Sequence, residues 1–194
     1  MLLITIKQYE LLLREIIRHT PASDPDFPAL TSTIDRIKEV NTSINEGKRQ
    51  IENQTKMLEI EKKIVDLPPN VHLIQPTRRL IRTGLFNVIV EIKKKQTRLE
   101  MLFILFNDAL LWLNPEYEFK GFTTLSDSIF ETPSTNQIEI FKDQSHNQSD
   151  AQFPLLLEHS NVDECASWYE SLCAAKQTLK EKEHSRKQSV SQRH

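Results

Sequence analysis

Tyr9-Glu10-Leu11-Leu12-Leu13-Arg14-Glu15-Ile16-Ile17-Arg18-His19-Thr20-Pro21 decides how the rest of the chain is read. On a wheel of about 100° per residue, extended back to Leu2, it gathers Leu2, Ile6, Tyr9, Leu12, Leu13, Ile16 and Ile17 on one broad face. This is the spacing of a helix that packs against other helices. Lys7, Gln8, Leu11, Arg14, Glu15 and Arg18 lie opposite. Leu11 is therefore an apolar residue on a polar face, where a partner contact would sit, although single exposed leucines are ordinary on protein surfaces. Pro21 ends the helix and pushes Thr20 toward extended geometry.

A second helix is expected to start near Asp24 to Phe27, with Asp24 or Asp26 as N-cap and Pro28 tolerated in the first turn. Leu30, Ile34, Ile37, Val40, Ile44, Ile51 and Leu58 hold one stripe through Lys63, interrupted only by Gly47. That implies a helix of about 35 to 40 residues, against the usual ~10 to 14, and such a length usually joins two units. Faces this wide need covering, since each leucine or isoleucine left in water forfeits about 1.5 to 3 kcal/mol. The helical part is thus expected either to dimerise through these faces or to be a fragment of a larger helical bundle.

Outward from these helices the chain changes character. Leu67-Pro68-Pro69-Asn70 breaks the long helix and Pro76 keeps the segment extended. Leu80 to Ile92 is rich in Val, Ile and Phe, and Lys93-Lys94-Lys95-Gln96-Thr97-Arg98 forms a basic turn. Leu99 to Phe106, then Ala109 to Leu113 after the turn Asn107-Asp108, read as strands. Shorter strands follow near Tyr117 to Leu125, around Ile129, at Gln137 to Lys142 and at Phe153 to Glu158, with a polar loop from Asp143 to Asp150. Val162 to about Glu183 is an amphipathic helix carrying Val162, Cys165, Trp168, Tyr169 and Leu172 at helical spacing. Past Leu179 apolar residues nearly vanish, so the end is expected to be disordered.

Composition excludes several classes of function. The 194 residues carry a net charge of -2, so no global field calls for nucleic acid. No apolar run approaches the ~18 residues of a membrane span. Cys165 and Cys173, eight apart on a helix, would lie about 12 Å apart, beyond the ~7 Å reach of a disulfide, as expected of reduced thiols in a cytosolic protein. Six scattered histidines show no metal-ligand spacing and three glycines build no phosphate loop, so no catalytic residue, cofactor or metal site is assigned.

The string Tyr-x-Leu-Leu-Leu-x-Glu-Ile-x-x-His-Thr from Tyr9, then Asp24-Pro25-Asp26-Phe27-Pro28-Ala29-Leu30, then Ile37-Lys38-Glu39-Val40 and Ile44-Asn45-Glu46, resembles the C-terminal third of a Dbl-homology domain. That domain is the exchange module of Rho-family guanine-nucleotide exchange factors. Leu102-Phe103-Ile104-Leu105-Phe106-Asn107-Asp108-Ala109-Leu110-Leu111 resembles the hairpin of the pleckstrin-homology domains that follow such modules, and Trp168 matches the tryptophan anchoring their closing helix. The resemblance implies an α+β chain: a long-helix fragment of an all-α Dbl-homology bundle over 1–66, a pleckstrin-homology β-sandwich with a C-terminal capping helix over 67–180, and a disordered basic tail over 181–194.

The resemblance further implies that the partner is a Rho-family small GTPase whose GDP release is promoted, with Gln8, Leu11 and Asn45 on the GTPase face. Leu11 and Asn45 match the family pattern, whereas Gln8 stands where a lysine is usual. A charge-assisted bond of about 1.5 to 3 kcal/mol would become an ordinary one of about 0.5 to 1.5. No residue of the chain corresponds to the family's early glutamate that engages switch 1, and Leu2-Leu3-Ile4-Thr5-Ile6 replaces its Pro-x-Gln-Arg-Ile lead-in. Without the motif, Asn45 is a polar residue flanking an apolar stripe.

In the family, phosphoinositide headgroups sit between the first two strands. Lys93, Lys94, Lys95 and Arg98 supply charge there, without the second arginine two positions after Arg98. At about 1 kcal/mol per basic residue near an anionic leaflet, they imply weak, salt-sensitive membrane contact by a cytoplasmic protein peripheral to the membrane. A solvated basic hairpin tip is the plainer reading. Arg186-Lys187-Gln188-Ser189 resembles a basophilic kinase site at Ser189. The rival to exchange is a non-catalytic adaptor or scaffold module that docks phosphoinositide or protein.

Overall fold

The structure, a computed structural model, describes residues 2–92, 94–143 and 153–191. They fall into two compact units, Met1–Thr55 and Lys56–His194. The division lies before the 66/67 boundary read from sequence because Met57 is buried in the second unit's core, with Ile60, Ile64 and Leu67 packed against it.

In the first unit, α1 (Leu2–His19) and the opening turns of α2 (Phe27–Lys63) form an antiparallel hairpin. The Thr20 hydroxyl donates to the Ile16 carbonyl at 2.7 Å where α1 stops before Pro21. Asp26 caps α2: its carbonyl accepts the Leu30 N–H at 3.0 Å, and the Asp24 carboxylate accepts the Asp26 N–H at 2.9 Å. Ile34 and Asn41 are buried between the helices, with Ile6, Leu13, Ile17, Ile37 and Ile44 half-buried around them. The broad face read from sequence is only partly covered. Tyr9, Leu12 and Ile16 remain 57%, 60% and 50% exposed, and Val40 and Ile51 on α2 are also exposed, because one neighbouring helix covers a single stripe.

The second unit is a seven-stranded antiparallel sheet closed by a helix. Its strands are β1 (Leu80–Ile92), β2 (Lys95–Phe106), β3 (Ala109–Leu113), β4 (Phe119–Thr124), β5 (Ser128–Ser134), β6 (Gln137–Lys142) and β7 (Leu155–Glu158), in the order β4-β3-β2-β1-β7-β6-β5. β1 pairs with β2 along its length but with β7 only over Asn87 to Ile89, so the sheet folds over at β1. Phe86 and Val88, Phe103 and Leu105, Leu110 and Trp112, Ile138 and Ile140, and Leu155 and Leu157 meet from both arms in one core. α3 (Val162–Ser191) closes it with Cys165, Trp168, Leu172 and Ala175. The opposite parity of β2 and β3, with Ile104, Phe106, Leu111 and Leu113, builds a second core on the outer face. Met57 and Leu73 cover it, and Val65 bridges the β3–β4 connection, donating to the Tyr117 carbonyl at 2.9 Å and accepting from the Phe119 N–H at 3.0 Å.

Two expectations change. The basic turn is tight: β2 begins at Lys95 opposite Ile92, and Lys94 takes a left-handed φ of 64°. α3 runs on as helix to Ser191, where the composition suggested disorder from residue 181. Lys, Glu, Gln and Arg are good helix formers, neither Gly nor Pro interrupts them, and Gln177 donates to Glu181 at 2.8 Å one turn away. No helix among the described residues is long and apolar enough to cross a membrane.

Candidate functional site

Leu11 is 63% exposed and Asn45 and Gln8 are also exposed, so all three side chains predicted to meet a partner lie on the surface of the helical hairpin. The line of contact with α2 runs through Ile6, Glu10, Leu13 and Ile17 on α1, and on α2 it runs through Ile34, Ile37, Asn41 and Ile44. Leu11 then points about 130° from that line and Asn45 about 60°, and in an antiparallel pair both turn to the same side. Gln8 points away from α2, one turn before Leu11. The hairpin thus presents an apolar residue and an amide together, with Gln8 at their margin.

What fixes this arrangement is polar and was missed from sequence. Asn41 Nδ2 donates to Glu10 Oε2 at 2.8 Å, and Arg14 donates to Glu10 Oε1 at 2.7 Å. The Arg14 hydrogen bond chiefly, with that of Asn41, holds the Glu10 carboxyl below its ordinary value of 4.5 despite partial burial. Asn41 Oδ1 is buried without a hydrogen-bond partner. A half-satisfied buried amide discriminates strongly among helix registers, because sliding would strand the donor as well. Asn41 lies one turn before Asn45 and therefore sets where Asn45 emerges. An asparagine at a stripe position between Ile37 and Ile44 was the signal available in the sequence.

Of the four basic residues predicted at the β1–β2 tip, the structure describes Lys94, Lys95 and Arg98. Lys93 lies outside the described residues, and Lys94 and Lys95 are exposed at the turn. Arg98 shares the parity of Leu102 and Ile104 on the outer face, whereas Lys95 shares that of Phe103 and Leu105 on the inner face. Arg98 Nε also donates to Glu158 Oε2 at 2.6 Å across β1. That hydrogen bond, ahead of partial burial, holds the Glu158 carboxyl below 4.5, and Glu158 in turn raises Arg98 above its ordinary value. A carboxylate whose folded value is depressed adds stability above its ordinary value and loses it as the pH falls through the folded value. An NMR titration of Glu158 should give a midpoint below 4.5 that moves back up in Arg98→Ala. An unmoved midpoint would refute the pairing. Ser189 belongs to the helical run of α3, and its side chain lies outside the described ones.

Residues 5–45 match the RhoGEF domain family. Rac guanine nucleotide exchange factor JJ of Dictyostelium discoideum is 36% identical over 104 residues, 54% of this chain and 8% of that protein's length. The solved complex of human RhoA with the DH/PH fragment of PDZRHOGEF superposes with a TM-score of 0.58 at 18% identity, covering 90% of this chain and 53% of the other. The linker-DH/PH domains of p115-RhoGEF give 0.70 at 17% identity, covering 91% and 55%. The chain spans about half the length of these solved tandems and a small part of the curated relative. The chain thus carries the fold of a Dbl-homology helical segment followed by a pleckstrin-homology domain, with a match to the RhoGEF domain family over residues 5–45.

Proposed function

We propose that the helical hairpin contributes to a guanine-nucleotide exchange surface for a Rho-family small GTPase, with Leu11 and Asn45 touching the GTPase and Gln8 at the rim. The observation that carries this is that Leu11 and Asn45 are both exposed on one side of the hairpin, within the segment that matches the RhoGEF domain. The relatives named for Rac exchange, and the solved exchange factors bound to RhoA, support a Rho-family partner. Exchange makes and breaks no covalent bond in the protein. It requires tighter binding of the nucleotide-free GTPase than of the loaded one, so the whole effect is a differential affinity.

Burying Leu11 against a partner is worth about 1.5 to 3 kcal/mol, or roughly 10- to 100-fold in affinity. Leu11→Glu should weaken binding to a nucleotide-free Rac- or Rho-type GTPase by at least that factor, and Asn45→Ala by about 5- to 10-fold. Ile51→Glu, an equally exposed change elsewhere on α2, should do neither. Titration calorimetry checks this, and equal loss in all three variants would point to unfolding of the hairpin instead.

Membrane contact by the second unit rests on Lys94 and Lys95, since Arg98 faces Glu158 on the other side of the sheet. At about 1 kcal/mol per basic residue, Lys94→Ala/Lys95→Ala should lower partitioning onto anionic vesicles at low salt by about 30-fold, and Arg98→Ala less. Sedimentation with phosphatidylserine vesicles reads this out. Unchanged partitioning would leave the hairpin tip a solvated turn.

A further inference from the structure

The outer core is covered unevenly. Met57 and Ile60 of α2 pack against it over β2 and β3, while the outer face of β1 stays open beside them. Gly84 and Phe86 turn inward onto Trp168, so Thr83 and Leu85 turn outward, paired with Ile104 and Leu102 of β2. A groove of about 380 Å³ lies there, within the roughly 300 to 1,000 Å³ of small-ligand sites. Leu80, Thr83, Leu102 and Ile104 form its floor. Lys56, Glu59, Ile60 and Lys63 form its wall, one stripe of α2 at i, i+3, i+4 and i+7. All of these residues belong to the second unit.

The shape and charge of the groove select its ligand. The floor is mainly aliphatic and long rather than round, since beyond Leu102 it continues onto Leu85, which is 48% exposed. The rim carries two cations against one carboxylate, and neither Lys56 nor Lys63 forms an ion pair among the described residues. Glu118, on the neighbouring β3–β4 connection, is already held by Lys120 at 2.8 Å and by Asn114 at 2.9 Å. Tyr117 stands at the Lys63 end, with Lys63 Nζ 5.7 Å from its ring centre. Its backbone is left-handed, at a φ of 64°, which is unusual for an aromatic residue. Hydrogen bonds to Asn114 at 3.0 Å and from Val65 at 2.9 Å hold it so. Strain of this kind persists where the surroundings over-determine it, and ligand clamps are one such place.

We infer that the groove between the end of α2 and β1 binds a single-chain anionic amphiphile, a monocarboxylate of the fatty-acid class taken up as a monomer. The chain lies on Ile104, Leu102 and Leu85, and the carboxylate meets Lys63 and Lys56 beside the Tyr117 ring. Glu59 leaves the rim only one net positive charge, which suits a monoanion better than a polyphosphate.

The test is titration of the whole chain with laurate below its micelle concentration, followed by calorimetry and by the amide resonances of Thr83, Leu102 and Tyr117. Laurate should bind and shift those resonances, while butyrate, lacking the chain, and dodecyltrimethylammonium, with the opposite charge, should not. Affinity should fall about tenfold in Lys63→Glu and as much in Thr83→Trp, which fills the groove from an exposed strand position. Tyr117→Asn, which tolerates the same backbone but removes the ring, should also weaken it. Glu59→Gln should raise it about threefold, a gain that unfolding does not produce. An unaltered melting transition in each variant shows that the fold is intact. The proposal is overturned if the cationic amphiphile binds as well as laurate, or if binding survives both Lys63→Glu and Thr83→Trp. Uptake of laurate only as micelles or from vesicles would overturn it too.

Discussion

Asp108→Ala is expected to lower the melting temperature of the second unit by about 10 °C, the consequence of roughly 3 kcal/mol lost from a unit of this size. Arg78 is the reason. Its side chain is 4% exposed, and its guanidinium reaches Asp108 through Nε at 2.8 Å and a terminal nitrogen at 2.7 Å. The other terminal nitrogen donates to the His72 carbonyl at 2.6 Å, and the group lies 5.5 Å from the ring centre of Phe106 and 5.4 Å from that of Phe122. Removing the carboxylate takes the charge partner away from a buried cation, which costs more than the pair contributed. Arg78→Met/Asp108→Leu should therefore be more stable than Asp108→Ala alone. Thermal melts followed by circular dichroism decide it, and a double variant less stable than the single would show that the buried charge is not the source of the loss.

Trp168→Ala should cost about 3 to 5 kcal/mol, as for other large aromatic residues removed from a core. The indole is 1% exposed, meets Phe86 edge-on at 5.3 Å and lies under the Arg82 guanidinium at 4.8 Å. Its closest approach is to backbone: a Cβ built on Gly84 would stand 2.6 Å from Nε1 and 2.8 Å from Cε2. Gly84→Ala alone should therefore destabilise by about 1 to 3 kcal/mol through overpacking. In the Trp168→Ala background the same change should be nearly neutral, because the atom it strikes is gone. Additive losses in the double variant would mean that Gly84 matters for a reason other than the indole.

The fold was legible where local chemistry dictates it. The Asn107-Asp108 turn, the strands on either side and the Trp168 helix all follow from alternation and helical spacing. The structure adds a physical reason for that turn. Asn107 Oδ1 accepts the Arg79 N–H, Asn107 Nδ2 donates to the Thr77 carbonyl at 3.1 Å, and Asp108 holds Arg78, so the two side chains fasten residues 72–79 to the hairpin. That clamp pairs residues about 30 apart, which no periodicity reveals. The same holds for Glu10 with Asn41, and for Arg98 with Glu158. The basic tip illustrates the limit most clearly. A run of lysines and an arginine reads as one patch, but strand parity sends Lys95 and Arg98 to opposite faces once β2 is found to start at Lys95. The helical faces show a different limit, since apolar spacing tells which residues can be covered and not how many neighbours cover them.

Equilibrium binding of the chain to a Rac- or Rho-type GTPase, measured once with the GTPase stripped of nucleotide and once loaded with GDP, tests the exchange reading most directly. Affinity for the stripped form should exceed that for the loaded form by at least tenfold, and the excess should disappear in Leu11→Glu/Asn45→Ala. Equal affinities for the two forms, or a preference untouched by that double variant, would contradict it.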